Sequence, residues 1–361
     1  MRWLKQWKAA SEAVLLVVLA LAPLYVSPFN LSLLGRFLAL AILSLGLALV
    51  WGWGGMLSLG QGVFWGLGAY ALAMHLKLVG LAPGDLPDFM QWSGLSALPA
   101  WWIPFRHAWF AFAAVIAVPA LAAAVLAWLV LARRVGGVFF ALITQALALA
   151  FATLLVSEQA YSGGFNGLTD YSTLLGHTLA SLPVQRTIYW ITLALLAASL
   201  LFCRWLLHTN FGRILLAIRD GENRVRFLGY NPTGYKVVAF AIGGALAGLS
   251  GALFILPAGV ISPAMVGVVP SIEMLIAVAV GGRTSLLGVV LGTLLVNFGK
   301  DWISSAMPEL WLLVMGGLLI LVIMALPEGL AGVPALLGRA LARRRRSRRE
   351  LMPALAGEEE G

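Results

Sequence analysis

Cysteine is nearly absent. The 361-residue chain has one, Cys203, so it holds no internal disulfide framework and no thiolate metal cluster. Charge is scarce too. Only 11% of residues are Asp, Glu, Lys or Arg, against about 25% in soluble domains. Histidine occurs four times, at His75, His107, His177 and His208, with no ligand spacing. These read as surface or interface histidines. The motifs H-E-x-x-H, G-x-S-x-G and G-x-x-x-x-G-K-[ST] are all missing. Gly299-Lys300-Asp301 lacks the Ser or Thr that would hold Mg²⁺. An integral membrane enzyme has no nucleophile, base or metal set here, and the chain has no P-loop of its own. Leu57-Ser58-Leu59-Gly60-Gln61 resembles an ABC ATPase signature box, but it lies in an apolar run and reads as membrane helix.

What is present is apolar. Hydrophobic residues make up 61% of the chain and the mean hydropathy is +0.94. Eight or more runs approach the roughly 20 residues that cross a bilayer. They do not alternate as β-barrel strands do. The fold expected is all-α and polytopic, with about 8–10 transmembrane helices. Residues 1–330 form the membrane domain, and 331–361 a basic, disordered cytoplasmic tail.

The first run follows Arg2, Lys5 and Lys8 and ends near Val26. It resembles a signal peptide, but Pro23 after Ala20-Leu21-Ala22 disfavours cleavage, so an uncleaved helix is expected. Further runs fall at about 33–51, 57–78, 108–131, 136–156, 187–207, 237–256 and 310–326. Gly62/Gly66 and Gly244/Gly248 have the four-residue spacing that lets helices approach closely in lipid. Trp92, Trp101, Trp102 and Trp109 suit the headgroup level. The stretch Ile272–Gly282 is short, about 16 Å as a helix. With 286–300 it forms either two short crossings or a re-entrant hairpin.

Basic residues orient the chain. With an inside N-terminus and alternating spans, 19 of the 24 Lys and Arg fall inside, as the positive-inside rule requires. Both termini are then cytoplasmic. This also explains the net charge of +9 without nucleic acid.

The longest polar insert on that side, within 208–236, reads GRILLAIRDGENRVRFLGYNPTGYK from Gly212 to Lys236. Asp220-Gly221-Glu222-Asn223 is placed to end one short helix and start another, with Asp220 or Asn223 as cap. Gly229 is a helix stop. The second helix would lie across the membrane face, apolar through Val225, Phe227 and Leu228, and insert into a partner's groove. The bland alternative is a loop that only sets topology.

Intramembrane polar groups are functional by default. Gln61, Thr144, Gln145 and Glu273 are the candidates for a translocation path, with Asn297 beside them. Glu273 sits near the outer end of its short run, where water would satisfy it. For Gln61 and Gln145 the alternative is a helix–helix hydrogen bond of about 0.6 kcal/mol. No buried relay of Asp, Glu and His is visible, which favours a neutral solute over proton coupling.

The 212–236 stretch and the helix after it closely resemble LivM-type permeases of ABC importers for branched-chain amino acids. WGWGGMLSLGQGVFWGLGAY, GVFFALITQALA, GGFNGLTD and SIEMLIAVAVGGRTSLLGVVLGTLLVN extend the resemblance over most of 50–330. Glu222–Gly229 is loosely similar to the EAA loop of importers. RVRFLGY, SIEMLIAVAVGGRTSLLG, PELWLL and LPDFM look like the urea-transport branch. Gln61 stands where many relatives have His.

The resemblance implies a permease subunit in the bacterial inner membrane, importing urea, with branched-chain amino acids as the alternative substrate. A second homologous permease, two ATP-binding subunits and a periplasmic urea-binding protein would complete the importer. ATP and Mg²⁺ would be used by those subunits, with no cofactor on this chain. The ATPase-coupling residues implied are Gly212, Arg213, Ala217, Arg219, Asp220, Glu222, Arg226 and Gly229. A stand-alone channel or secondary carrier is the reading from another class.

Overall fold

The structure is a computed structural model that describes residues 2–82, 84–171, 173–325 and 329–332. The basic tail expected over 331–361 lies outside the described residues beyond Gly332. The helices are α1 (Arg2–Tyr25), α2 (Pro28–Ala48), α3 (Gln61–Val79), α4 (Asp88–Trp92), α5 (Ala108–Ala132), α6 (Val138–Ser157) and α7 (Gln159–Ser162). They continue as α8 (Leu182–His208), α9 (Asn210–Phe227), α10 (Pro232–Ala258), α11 (Val268–Gly281), α12 (Leu286–Ala306) and α13 (Trp311–Ala325). Strands β1 (Thr173–Leu174) and β2 (His177–Thr178) make one small antiparallel hairpin. Among the described residues, eight helical segments are long and apolar enough to cross a membrane. The chain is an all-α polytopic membrane protein.

Helices α2, α3 and α10 form the inner layer, and α5, α6, α8, α12 and α13 surround them. The α2 span is 89% buried and the α6 span 22%, so α6 shows most of its apolar surface outward. Lipid tails are as apolar as leucine, so the hydrophobic effect does not drive these helices together. Close van der Waals contact does, and glycine permits it. A Cβ on Gly68 would run into the Gly248 backbone, and one on Gly248 into the Val115 carbonyl. Gly244 lies against Pro119 and Ala123 of α5. The expected packing role of the glycine pairs is what the fold shows.

The third run departs from expectation. Helix α3 starts only at Gln61, while α2 runs on through a π-helical turn, Leu49–Trp53. Residues 56–60 are not helical. The signature-like box read as membrane helix is therefore non-helical backbone up to Gln61, with a bend at Leu59. Glycines at 52, 54, 55 and 60 weaken the helix, and Gly55 takes a left-handed φ of +68°. Irregular backbone at membrane depth survives only when protein satisfies it. Here the Leu59 amide donates to Thr144 Oγ1 at 3.0 Å, and the Gly62 amide to Ser271 Oγ at 3.1 Å.

The 272–300 region is also resolved. Helix α11 starts four residues earlier than expected, at Val268, and has 14 residues, about 21 Å. Helix α12 has 21, about 31 Å, enough for a hydrocarbon core of about 30 Å. The chain enters from the end where Leu168 pairs with Ile261. Irregular residues 262–267 carry it inward, and α11 completes the crossing. At the far end a Cβ on Gly52 would strike the Arg283 carbonyl. The segments Pro263–Gly281 and Leu286–Ala306 are each long and apolar enough to cross a membrane.

One end of the bundle gathers Gly52–Gly55, Arg134, α9 and Arg283. Arg134 shares a cleft with Asp220, Glu222 and Arg226, and Arg283 stacks on the Trp51 ring at 5.3 Å. The other end holds the Lys77–Asp88 ion pair (3.5 Å) and the bond between His75 Nδ1 and the Phe105 carbonyl (2.7 Å). Of the basic segments that alternation placed on one side, 133–134, 212–236 and Arg283 meet at one end.

Candidate functional site

Two features draw together the residues singled out from sequence. The first is α9, which packs on α8, α10 and the π-helical turn at the basic end. Gly212, Leu215 and Ile218 are spaced by three and all face inward, buried. Arg213 and Ala217 are exposed. At Gly221 the backbone is extended (φ −175°, ψ 77°), so two helices meet at a kink. This is the break expected from Asp220–Asn223. Gly229 follows the last turn with φ +87°, the left-handed stop that glycine makes without a Cβ clash.

The expected apolar face is split. Val225 is buried, whereas Phe227 is 92% exposed and Leu228 76%. Residues two apart on a helix point in different directions, which turns Phe227 away from Val225, and Leu228 lies past the last helical residue as the cap, so the core takes Val225 and leaves the other two projecting. Glu222 holds this half in place. It accepts from Arg226 at 3.2 Å and from Lys236 at 2.5 Å. Asp220 accepts from Arg219 Nε at 2.9 Å.

Arg219 also points into the bundle. Its Nη1 donates to the Gly52 carbonyl at 2.6 Å. Its aliphatic stem lies against Gly55. The chain from Gly55 leads through the non-helical residues 56–60 to Gln61, so five residues separate the Arg219 contact from the start of α3.

The second feature is that start of α3, together with a cavity beyond it. Thr144 accepts the Leu59 amide and donates to the Ala141 carbonyl at 2.9 Å. Its hydroxyl is thus committed to holding the break. Gln61 is 1% exposed, and its Nε2 finds no partner among the described residues. Gln145 is half-buried next to Thr144 on α6. Of the four path candidates, only Glu273 lines the cavity.

This cavity, about 270 Å³, lies between α2, α11 and α12. Glu273 is not at a watery helix end, as its position in the run implied. Helix α11 begins five residues before it, which carries it into the bundle. Its side chain is 18% exposed. Lys300 Nζ donates to Oε2 at 2.5 Å and Trp311 Nε1 to Oε1 at 2.9 Å. Arg36 and Asp301 also line the cavity, close enough to interact electrostatically. Two cations and two anions thus face a chamber whose remaining wall mixes apolar side chains with Ser44, Thr293, Asn297 and Ser304. Sequence reasoning counted Arg36 and Lys300 as topology charges. The signal missed was that each lies inside a helix long enough to span.

Residues 29–323 match the family described as the permease component of branched-chain amino acid transport systems. The chain is 29% identical to the high-affinity branched-chain amino acid permease LivM of Salmonella typhimurium, over 88% of this chain and 73% of that protein. It is 29% identical to the probable LivM of Methanocaldococcus jannaschii, over 51% of this chain and 57% of that one. It is 30% identical to LivH of Escherichia coli, over 47% of this chain and 54% of that one. No solved structure matches the chain. With a match that runs through every span from α2 to α13, this chain belongs to the permease family of branched-chain amino acid transport systems.

Proposed function

We propose that this chain is the membrane-spanning permease subunit of an ATP-driven importer in the bacterial inner membrane, and that it carries branched-chain amino acids. The observation that carries this reading is the family match over residues 29–323. The named relatives favour branched-chain amino acids over urea, to which the loop motifs are similar. A second, homologous permease, two ATP-binding subunits and a periplasmic binding protein complete the importer. Nucleotide chemistry belongs to the ATP-binding subunits, and this chain is not an enzyme. The basic end, with α9, faces the cytoplasm, in keeping with the charge count.

On this reading the ATPases dock at α9. The projecting Phe227 and Leu228 enter a groove on the ATPase, and Arg213 and Ala217 lie on the same exposed surface. Arg219, Asp220, Glu222 and Arg226 keep the kinked helix in shape, while Gly212 and Gly229 define its ends. Closure of the ATPase dimer moves α9. Arg219 passes that motion to Gly52–Gly55 and, through the non-helical residues, to Gln61 and Thr144. The solute path runs beside that break and past Glu273.

The test is reconstitution of the whole complex in proteoliposomes with its binding protein. ATP-dependent uptake of labelled leucine, isoleucine and valine is measured beside uptake of labelled urea. Leucine uptake with no urea uptake supports the reading. Urea uptake alone would overturn the substrate while leaving the importer intact. Uptake by this chain without ATPases would sink the importer itself in favour of a carrier or channel.

A further inference from the structure

The cavity beside Glu273 carries an imbalance that the importer reading does not explain. Three of its lining residues have a buried donor with no partner among the described residues: Arg36 Nε, Ser44 Oγ and Trp65 Nε1. Ser44 is 1% exposed and Trp65 2%. Unpartnered buried polar groups are costly and rare, so each asks for a reason. Arginine and the indole N–H are donors only. On the same wall Glu273 is engaged by Lys300 and Trp311 and Asp301 lies near Arg36, yet none of the acceptors that line the chamber bonds these three atoms. What the three donors lack is an oxygen acceptor within reach.

We infer that this cavity is a solute-holding site that binds a carboxylate or carbonyl oxygen through Arg36, Ser44 and Trp65. Arg36 and Ser44 are eight residues apart on α2, about 12 Å along the axis. The donors are therefore spread along the chamber rather than gathered at one point. Phe37, Leu40, Phe254 and Met274 belong to the apolar part of the wall. An oxygen at one end and a short apolar side chain at the other match this lining. The volume, about 270 Å³, is far above the 10–15 Å³ that admits one water. It sits just below the lower bound of about 300 Å³ for small-molecule sites, so a single small solute fills it. With Lys300 on Glu273 and Arg36 near Asp301 the chamber is neutral overall, which suits a zwitterion or a neutral amide better than a net ion.

This rests on the importer reading for the direction of transport. The oxygen-acceptor chemistry is shared by an apolar amino acid and by urea, so both solutes are measured. Complexes carrying Arg36→Gln, Ser44→Ala or Trp65→Phe are reconstituted with the binding protein, and assembly is checked by co-purification of all subunits. Uptake of labelled leucine and of labelled urea is followed against concentration. The expected result is a tenfold or greater loss of leucine uptake for Arg36→Gln and a threefold to tenfold loss for the other two, in complexes that assemble normally. If the wild-type complex carries urea and these variants slow urea instead, the substrate reading falls and the site stands. If the variants carry the wild-type's solute at the wild-type rate, the site is overturned and the importer reading stands.

A second measurement covers variants that fail to assemble. Ser304→Cys, at a half-buried position on the cavity wall, is treated with a small methanethiosulfonate reagent, with Cys203 buried and out of reach. Labelling slowed by leucine or urea delivered on the binding protein supports the site. Labelling that neither solute slows overturns it.

Discussion

Arg219→Met tests the connection between α9 and the membrane interior. The substitution keeps most of the stem that packs on Gly55 and removes the bond from Nη1 to the Gly52 carbonyl, 2.6 Å in the wild type. A hydrogen bond from a charged donor contributes about 1.5–3 kcal/mol. The Arg219 side chain is 31% exposed, so water replaces part of that bond, and about 1–2 kcal/mol is left. That corresponds to a factor of about 5–30 in an equilibrium. We expect the number of solutes carried per ATP hydrolysed to fall by about that factor. Uptake and ATP hydrolysis are measured together in proteoliposomes holding the full complex. If Arg219 only helped the ATPases dock, hydrolysis and uptake would fall in proportion, with weaker co-purification. Proportional loss, or no loss in either rate, refutes the transmission argument. Arg219→Lys keeps the charge but reaches less far, and we expect it to restore coupling in part.

Three further outcomes follow from particular contacts. Gly68→Ala places a methyl against the Gly248 backbone, so overpacking costs about 1–3 kcal/mol. The gain in helix propensity offsets about 1 kcal/mol of it, and the melting temperature of the purified protein drops. Thr144→Val keeps the shape but strands the Leu59 amide, costing about 1–3 kcal/mol. Faster amide hydrogen exchange over 56–60, with little change elsewhere, is the readout. Glu273→Gln leaves Lys300 without its carboxylate, while Lys300→Met with Glu273→Gln removes both charges. Removing one partner of a buried pair is worse than removing both, and with Lys300 39% exposed water screens much of that penalty. We expect the double variant to be more stable than the single Glu273→Gln by about 0.5 kcal/mol in a thermal-shift double-mutant cycle.

Much of this molecule was legible before any coordinate. Run lengths and low charge specified the spans, and the spacing of Lys and Arg grouped the loops that meet at one end. The kink at Gly221 and the stop at Gly229 were readable because turn chemistry is local. The split of Val225 from Phe227 and Leu228 was not. Which side of a short amphipathic helix turns inward depends on the helices beneath it. The break before Gln61 was hidden for the same reason. LSLGQ is apolar enough to pass for helix, and only hydroxyls from Thr144 and Ser271, 85 and 209 residues away in the chain from the amides they meet, let its backbone stay non-helical.

Composition and pattern determined by themselves that this chain lives in a bilayer, where most of its apolar spans fall and where its central basic loops gather. These properties follow from transfer of whole segments into lipid, which is additive along the sequence. Only the tertiary structure decided that Glu273 meets Lys300 and Trp311, that Arg219 reaches Gly52, and that three donors are left free around one cavity. Those depend on side chains from distant helices arriving at the same point, and no periodicity records that.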